Sequence, residues 1–245
     1  MNKIRLQVAL AKIGIASRRK SALIIQSNRI RVNGKPVNQK GFHVDISKDK
    51  ITLDGKVLFK ERGKHYYVLN KPTGIVSTSS DERQRPSVVD YVRNLGVRLY
   101  PVGRLDQNTT GLIILTNDGD LTYRLTHPKF GIERVYEVKV KGAMRDKDMQ
   151  RLKSGIVVEG KTTQVEKIVF KKKRGANTRL LITLSEGRKR EVREIFNAIG
   201  YPVLKLKRVA YGPLVLGGLK EGMFRPLAKF EVIRLKRCVG LHETR

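Results

Sequence analysis

The chain has 245 residues, 40% of them hydrophobic, so it can form a sizeable core and is not wholly disordered. Its 52 Lys and Arg against 22 Asp and Glu give a formal net charge of +30, which indicates a nucleic-acid partner. No apolar run approaches the ~18 residues that a membrane span needs, and the single cysteine, Cys238, allows no internal disulfide. We therefore expect a cytoplasmic protein that does not bind membranes.

The first 62 residues have the pattern of a small separate domain. Apolar residues at helical spacing from Leu6 to Ile13 predict a first helix, and Ser17 is placed to cap a second. An alternating segment at 30–37 is interrupted by an Asn-Gly pair, which is a strong hairpin signal. This helix, helix, hairpin order predicts a compact α/β unit.

Basic side chains of this domain indicate contacts with nucleic-acid phosphates. A run of three basic residues opens the second helix, although the helix dipole favours anions at that end. The run makes better sense if backbone phosphates dock there, and a solvated basic helix face is the alternative. We predict that five residues here bind the nucleic acid: Arg18, Arg19, Lys20, Arg31 and Lys35.

The pattern over roughly residues 3–50 resembles the α-L RNA-binding domain, which a ribosomal small-subunit protein shares with several RNA enzymes. A polar stretch without periodicity follows at 59–64 and is interpreted as a linker. We therefore predict two domains, residues 1–62 and 63–245.

The second domain alternates strands with a few helices and lacks a regular βαβ repeat. Strands are predicted at 65–70, 112–115, 135–140, 156–158, 164–170, 180–184 and 203–209, and helices at 87–94, 145–153 and 190–199. The predicted fold class is therefore α+β. It combines a small α/β RNA-binding domain with a domain built on a mixed, mainly antiparallel sheet with flanking helices.

Several functions are excluded by missing motifs. The phosphate-binding P-loop and the Gly-x-Gly-x-x-Gly fingerprint are absent, which argues against a P-loop nucleotidase and a dinucleotide-binding domain. The segment from Asp106 to Gly111 imitates the start of a calcium loop, but its twelfth position is Asn117 instead of glutamate. The signature motifs of aminoacyl-tRNA synthetases are also missing. With four scattered histidines and one cysteine, we predict no metal site.

One carboxylate of the second domain needs an explanation. Asp106 follows Arg104 and precedes a polar turn, Gly111 and a short apolar run. The run predicts a buried strand, so Asp106 lies on a loop held by that strand, where reactive side chains usually sit. By itself, the local sequence also fits a turn residue that accepts hydrogen bonds from nearby backbone.

The residues around this carboxylate resemble the catalytic motif of pseudouridine synthases. Gly103-Arg104-Leu105-Asp106 and the turn at 116–119 carry the resemblance, which is closest to the bacterial ribosomal RNA branch with an N-terminal α-L domain. Three further segments fit other motifs of that family: Asn70-Lys71-Pro72, 134–138 and 186–196. The resemblance covers nearly the whole chain and makes residues 63–245 the catalytic domain.

The resemblance implies a role for particular residues. Asp106 would be the catalytic carboxylate, Tyr136 would stack against the target base, and Arg193 would pair with Asp106 and keep it ionised. The Asn70-Lys71-Pro72 motif would be structural. Three more arginines are predicted to bind RNA: Arg104, Arg188 and Arg190.

The implied reaction is isomerisation of a specific uridine in ribosomal RNA to pseudouridine, with base flipping and without a cofactor. The Arg-Glu-Val-Arg form of the last motif favours the large-subunit branch. We expect a monomer that acts on ribosomal RNA or a pre-ribosomal particle and does not use DNA. The alternative is a non-catalytic ribosome-assembly factor, which would have no need for an acid among basic residues.

Overall fold

The structure is a computed structural model that describes residues 3–59, 63–158, 160–174 and 177–241. The chain divides into two compact units, Met1–Lys64 and His65–Arg245. The division falls two residues after the predicted one, and residues 60–62 of the predicted linker lie outside the described residues. None of the helices in these ranges combines the length and the apolar character that a membrane crossing requires.

The first unit has the predicted helices and hairpin. Its elements are β1 (Ile4–Arg5), α1 (Leu6–Lys12), α2 (Arg18–Gln26), β2 (Ile30–Val32), β3 (Lys35–Pro36), β4 (His43–Val44), β5 (Ile51–Leu53) and β6 (Lys56–Val57). The Oγ of Ser17 accepts a hydrogen bond from the Lys20 backbone at 3.2 Å, so the predicted cap is confirmed. Strand β2 pairs antiparallel with β3 and with β5.

The second unit alternates strands with short helices. Its strands are β7 (Tyr66–Lys71), β8 (Tyr100–Val102), β9 (Thr110–Thr116), β10 (Arg134–Lys141), β11 (Ile156–Val158), β12 (Lys161–Thr163), β13 (Lys167–Arg174), β14 (Asn177–Leu184), β15 (Val203–Tyr211), β16 (Leu214–Val215) and β17 (Phe224–Pro226). Its α-helices are α3 (Gly119–Thr126), α4 (Asp146–Ser154), α5 (Glu191–Ala198) and α6 (Lys229–Arg237). Two 3₁₀ helices cover Asp90–Leu95 and Pro128–Phe130, the first where an ordinary helix is predicted at 87–94.

A mixed sheet organises this unit. Its strand order is β13-β14-β10-β15-β9-β7-β17, with β8 also on β9 and β16 also on β15. Among the described strands of this sheet, β9 and β15 pair in parallel and the other pairs are antiparallel. The predicted mixed, mainly antiparallel sheet is confirmed.

Strand β9 is buried on both faces. Leu112 and Ile114 belong to one apolar cluster, and Ile113 and Leu115 belong to another on the opposite face. This double burial explains why the strand is an unbroken apolar run instead of an alternating one. Strand β9 is therefore a rigid base for the loop that precedes it.

Helix α3 is absent from the predicted elements, because the Asn-Asp-Gly-Asp segment at 117–120 reads as a turn. In the structure Asp118 caps the helix by accepting a hydrogen bond from the Leu121 backbone at 3.2 Å. Its other carboxylate oxygen accepts the hydroxyl of Tyr66 at 2.8 Å. The same residue types favour turns and helix starts, so the local sequence does not distinguish the two.

We expect Asp118→Ala to lower the free energy of unfolding by about 2–3 kcal/mol, since it removes a helix cap and the acceptor of the Tyr66 hydroxyl. Tyr66→Phe removes only the second of these contacts and should cost about 1 kcal/mol. Urea unfolding followed by circular dichroism measures both values. Equal losses for the two variants would show that the cap contributes little.

Candidate active site

A cavity of about 540 Å³ lies in the second unit. Its wall contains Asp106 and Tyr136, two of the three predicted catalytic residues. The three predicted RNA-binding residues of this unit also line it and are exposed: Arg104, Arg188 and Arg190. The structure thus brings residues that are far apart in the sequence to the wall of one cavity.

The other predicted RNA-binding residues belong to the first unit. Its basic run lies in the first turn of α2, and two more cations lie on the β2–β3 hairpin. All five side chains are exposed: Arg18, Arg19, Lys20, Arg31 and Lys35. They are accessible to a polyanion, as their predicted role requires.

Asp106 is half-buried on the loop between β8 and β9. The residue before it, Leu105, is buried in the same apolar cluster as Ile113 of β9. On its other side Thr109 is buried and leads directly into β9. Both ends of the loop are therefore anchored, and Asp106 lies at the cavity wall between them.

The Asp106 loop, defined as Leu105–Thr109, has a hydrogen bond on each of its five carbonyl oxygens. The Leu105 carbonyl accepts from Ser77 Oγ at 2.8 Å, and the Asp106 carbonyl accepts from the Thr109 backbone at 3.0 Å. The Gln107 carbonyl accepts from Lys71 Nζ at 3.1 Å and from the Gly74 backbone at 2.9 Å. The Asn108 carbonyl accepts from Arg193 at 3.2 Å, and the Thr109 carbonyl accepts from Lys71 Nζ at 2.9 Å. A loop held this completely presents its side chains in a fixed geometry, which is what catalytic positioning requires.

Lys71 is a fully buried cation beside this loop. Its ammonium donates to the carbonyls of Pro72, Gln107 and Thr109 at 2.8, 3.1 and 2.9 Å, which satisfies its three N–H donors. Burial lowers the pKa of Lys71 to about 8, while attraction to Asp106 opposes that shift. The predicted structural role of this motif is consistent with its contacts.

The Arg193 side chain binds a main-chain carbonyl of the Asp106 loop. Its Nη2 donates to the carbonyl of Asn108 at 3.2 Å and its Nη1 to that of Val203 at the same distance. The expected direct ion pair with Asp106 is not formed among the described residues, and Arg193 does not line the cavity. Burial lowers the pKa of Arg193, as does Arg190, whereas Asp106 raises it, so the two groups still attract each other.

Two buried arginines in the cavity wall were not predicted as site residues. Arg208 is opposite Tyr136 on the neighbouring strand and donates from Nε to the Leu112 carbonyl at 2.8 Å. The guanidinium carbons of Arg208 and Arg134 lie 4.8 and 5.2 Å from the ring centre of Tyr211. They add positive charge to the wall, and cations in a strand gave no sequence signal that they would be buried.

A buried acid in the wall was also missed. Glu191 is 7% exposed and accepts a hydrogen bond from the Arg188 backbone at 3.2 Å. Burial raises the pKa of the Glu191 carboxyl, which is more deeply buried than Asp106. Among the described residues, no group of three or more His, Cys, Asp and Glu side chains could hold a metal ion.

A mixed sheet with one acid on a rigid loop, beside a tyrosine and several arginines, fits an enzyme that acts on a polyanion. Residues 65–198 match the RNA pseudouridylate synthase family, and residues 4–51 match the S4 domain. The chain belongs to the RNA pseudouridylate synthase family and is an RNA pseudouridine synthase with an N-terminal S4 domain. The predicted family is confirmed.

Relatives of similar length support this assignment. A "ribosomal large subunit pseudouridine synthase B" from Bacillus subtilis is 41% identical over 234 residues, which is 95% of each chain. An RNA pseudouridine synthase from Aquifex aeolicus is 38% identical over 98% of this chain and 97% of its own. A crystal structure of a pseudouridylate synthase superposes with a TM-score of 0.67 at 29% identity, covering 95% of this chain and 99% of the other. The predicted α+β fold class is confirmed.

The position of Lys71 predicts a pH dependence. Below pH 8 its ammonium is charged in the folded and the unfolded chain, whose lysine pKa is about 10.5. Between these values the unfolded chain binds the extra proton, so this group makes the folded state more stable as pH rises. Turnover should nevertheless fall above pH 8, because the neutral amine has two donors for three carbonyls and no charge near Asp106.

Single-turnover rates and melting temperatures measured between pH 7 and 9 separate these two effects. The expected result is a rate that declines with an apparent pKa near 8 while Lys71 itself causes no loss of stability. A rate that stays level over this range would show that the charge of Lys71 is not needed.

Proposed function

We propose that this enzyme converts a uridine of large-subunit ribosomal RNA to pseudouridine and that Asp106 is the catalytic carboxylate. The observation that carries the proposal is the half-buried Asp106, which lines the same cavity as Tyr136 and lies on a loop whose five carbonyls are all hydrogen-bonded. The name of the Bacillus subtilis relative supports the substrate. The cell compartment consistent with this substrate is the cytoplasm, and we propose a monomer.

The chemistry needs one carboxylate. The bond between ribose carbon 1′ and uracil N1 breaks, the base turns, and carbon 1′ forms a new bond with carbon 5. Carbon 5 loses its hydrogen as a proton and N1 gains one, so substrate and product are isomers. Glycosidases use two carboxylates, because one of them must activate a water molecule or form an intermediate that water hydrolyses. In this reaction an attack by water would release the base. Asp106 acts at the ribose and needs no second acid.

The neighbouring residues take complementary roles. Tyr136 provides a flat wall for the uracil while it is detached. Arg193 steadies the loop at Asn108 and contributes positive charge near Asp106. Flipping the target uridine costs a few kcal/mol, which phosphate contacts offset. We assign those contacts to Arg104, Arg188 and Arg190 in the catalytic unit and to Arg18, Arg19, Lys20, Arg31 and Lys35 in the S4 domain.

Release of tritium from carbon 5 of uracil tests the function, because isomerisation must expel that hydrogen. The substrates are large-subunit and small-subunit ribosomal RNA labelled at this carbon, offered as free RNA and as assembling particles. We expect release from large-subunit RNA alone. Release only from small-subunit RNA would contradict the proposed substrate, and no release from any RNA would contradict the proposed reaction.

A further inference from the structure

Ser77 differs from the other serines of its loop. The loop that follows β7 contains Ser77, Ser79 and Ser80 within four residues. Ser77 is buried at 9% exposure, whereas Ser79 and Ser80 are exposed. A buried hydroxyl is costly unless it is hydrogen-bonded, so its partners indicate why it is there.

The Ser77 hydroxyl both donates a hydrogen bond to Leu105 and accepts one from it. Ser77 Oγ donates to the carbonyl of Leu105 at 2.8 Å and accepts from the backbone N–H of Leu105 at 3.1 Å. Leu105 immediately precedes Asp106, and its own side chain is buried in the apolar cluster with Ile113. Side chain and main chain of Leu105 are thus held at the same time.

The Leu105 carbonyl belongs to the planar peptide group that also contains the nitrogen of Asp106. Fixing this oxygen therefore fixes the plane from which the Asp106 backbone continues. The contacts of Lys71 and Arg193 hold carbonyls that come after Asp106, at Gln107, Asn108 and Thr109. Among the described side chains, Ser77 supplies the corresponding contact before Asp106.

We propose that Ser77 is a positioning residue for the catalytic carboxylate, which it orients through the peptide group of Leu105. The inference rests on the proposed function of Asp106. Ser77 also lines the cavity, but its one O–H donor and one acceptor position of its oxygen bind Leu105, so we assign its effect on the ribose to the placement of Asp106. A misplacement of about 1 Å can slow an enzyme about a hundredfold.

Three variants test this role. Ser77→Ala removes the hydroxyl, Ser77→Thr keeps it, and Ser79→Ala is the matched control because that serine is exposed on the same loop. At saturating RNA we expect Ser77→Ala to slow single-turnover tritium release at least about tenfold. The dissociation constant for RNA should stay within about twofold, since phosphate contacts dominate it. Ser77→Thr should restore most of the rate, and Ser79→Ala should match the wild type.

Hydrogen exchange in the free protein gives a readout that does not depend on turnover. Ser77→Ala should speed exchange of the Leu105 amide, whose acceptor is lost, without changing exchange in the core of β9. Unchanged exchange at Leu105, or a Ser77→Ala rate within twofold of a wild type that turns over, would overturn the inference. Equal loss of rate and of melting temperature in Ser77→Ala and Ser77→Thr would also overturn it. Absence of turnover in the wild type would contradict the proposed function instead.

Discussion

Asp106→Asn should lower the single-turnover rate of pseudouridine formation by about 10³-fold or more and leave RNA affinity within a few-fold. Asparagine has nearly the same shape but cannot act at the ribose as a carboxylate. The hydrogen bonds that hold the Asp106 loop are accepted by its main-chain carbonyl oxygens, so the substitution leaves them intact. Tritium release and filter binding, measured on the same RNA, give the rate and the affinity.

Asp81→Asn is a matched control for this experiment, because Asp81 is another acid in the cavity wall. Its carboxylate is bound to the Arg85 side chain at 2.8 and 3.1 Å, which lowers the pKa of Asp81 to about 2. A carboxylate engaged in this way is not available to the ribose, so we expect a rate within about threefold of the wild type. Turnover retained by Asp106→Asn would remove that residue from the mechanism.

The sequence was informative wherever burial follows from a local pattern. The apolar run at 112–115 predicts a buried strand, and the structure places it inside the sheet, between β15 and β7, with both faces covered. That placement is enough to put Asp106 on an anchored loop. The N-terminal helices and hairpin were predictable for the same reason, since spacing and an Asn-Gly turn are short-range signals.

Contacts between distant segments were not predictable from these patterns. The direct pairing of Arg193 with Asp106 was expected, yet the guanidinium binds the carbonyl of Asn108, two residues further on. Lys71 and Arg208 are cations in strands, and only the neighbouring strands show that they are buried. Helix α6 and strands β16 and β17 were likewise missed, because their positions depend on packing against distant residues.

Positive charge in this site therefore acts largely through the main chain. Lys71 and Arg193 both bind carbonyl oxygens of the Asp106 loop. Burial lowers the pKa of each cation, and attraction to Asp106 opposes that shift. A side-chain ion pair would occupy the carboxylate oxygens and compete with the ribose for them. Cations bound to the carbonyls contribute positive charge near Asp106 and leave those oxygens available for chemistry.

The same loop depends on a close approach of two strands at Gly111. This residue of β9 is the register partner of Arg208 of β15 and has φ = +106°, a value that favours glycine. A Cβ at this position would lie 2.2 Å from the carbonyl oxygen of Arg208 and 2.7 Å from its nitrogen. Both are strand backbone atoms and cannot turn away, so the strands would have to separate.

Gly111→Ala should therefore lower the free energy of unfolding by about 3–5 kcal/mol, of which ~1–2 is backbone strain and the rest overpacking. Gly96→Ala separates these contributions, because Gly96 has φ = +68° and a methyl group added there would meet none of the described atoms within 4 Å. That control should lose only about 1 kcal/mol in urea unfolding and keep its turnover. If the two variants were equally stable, the parallel pairing of β9 and β15 would tolerate a wider spacing. The fixed geometry of Asp106 would then depend on its loop contacts instead of on the sheet.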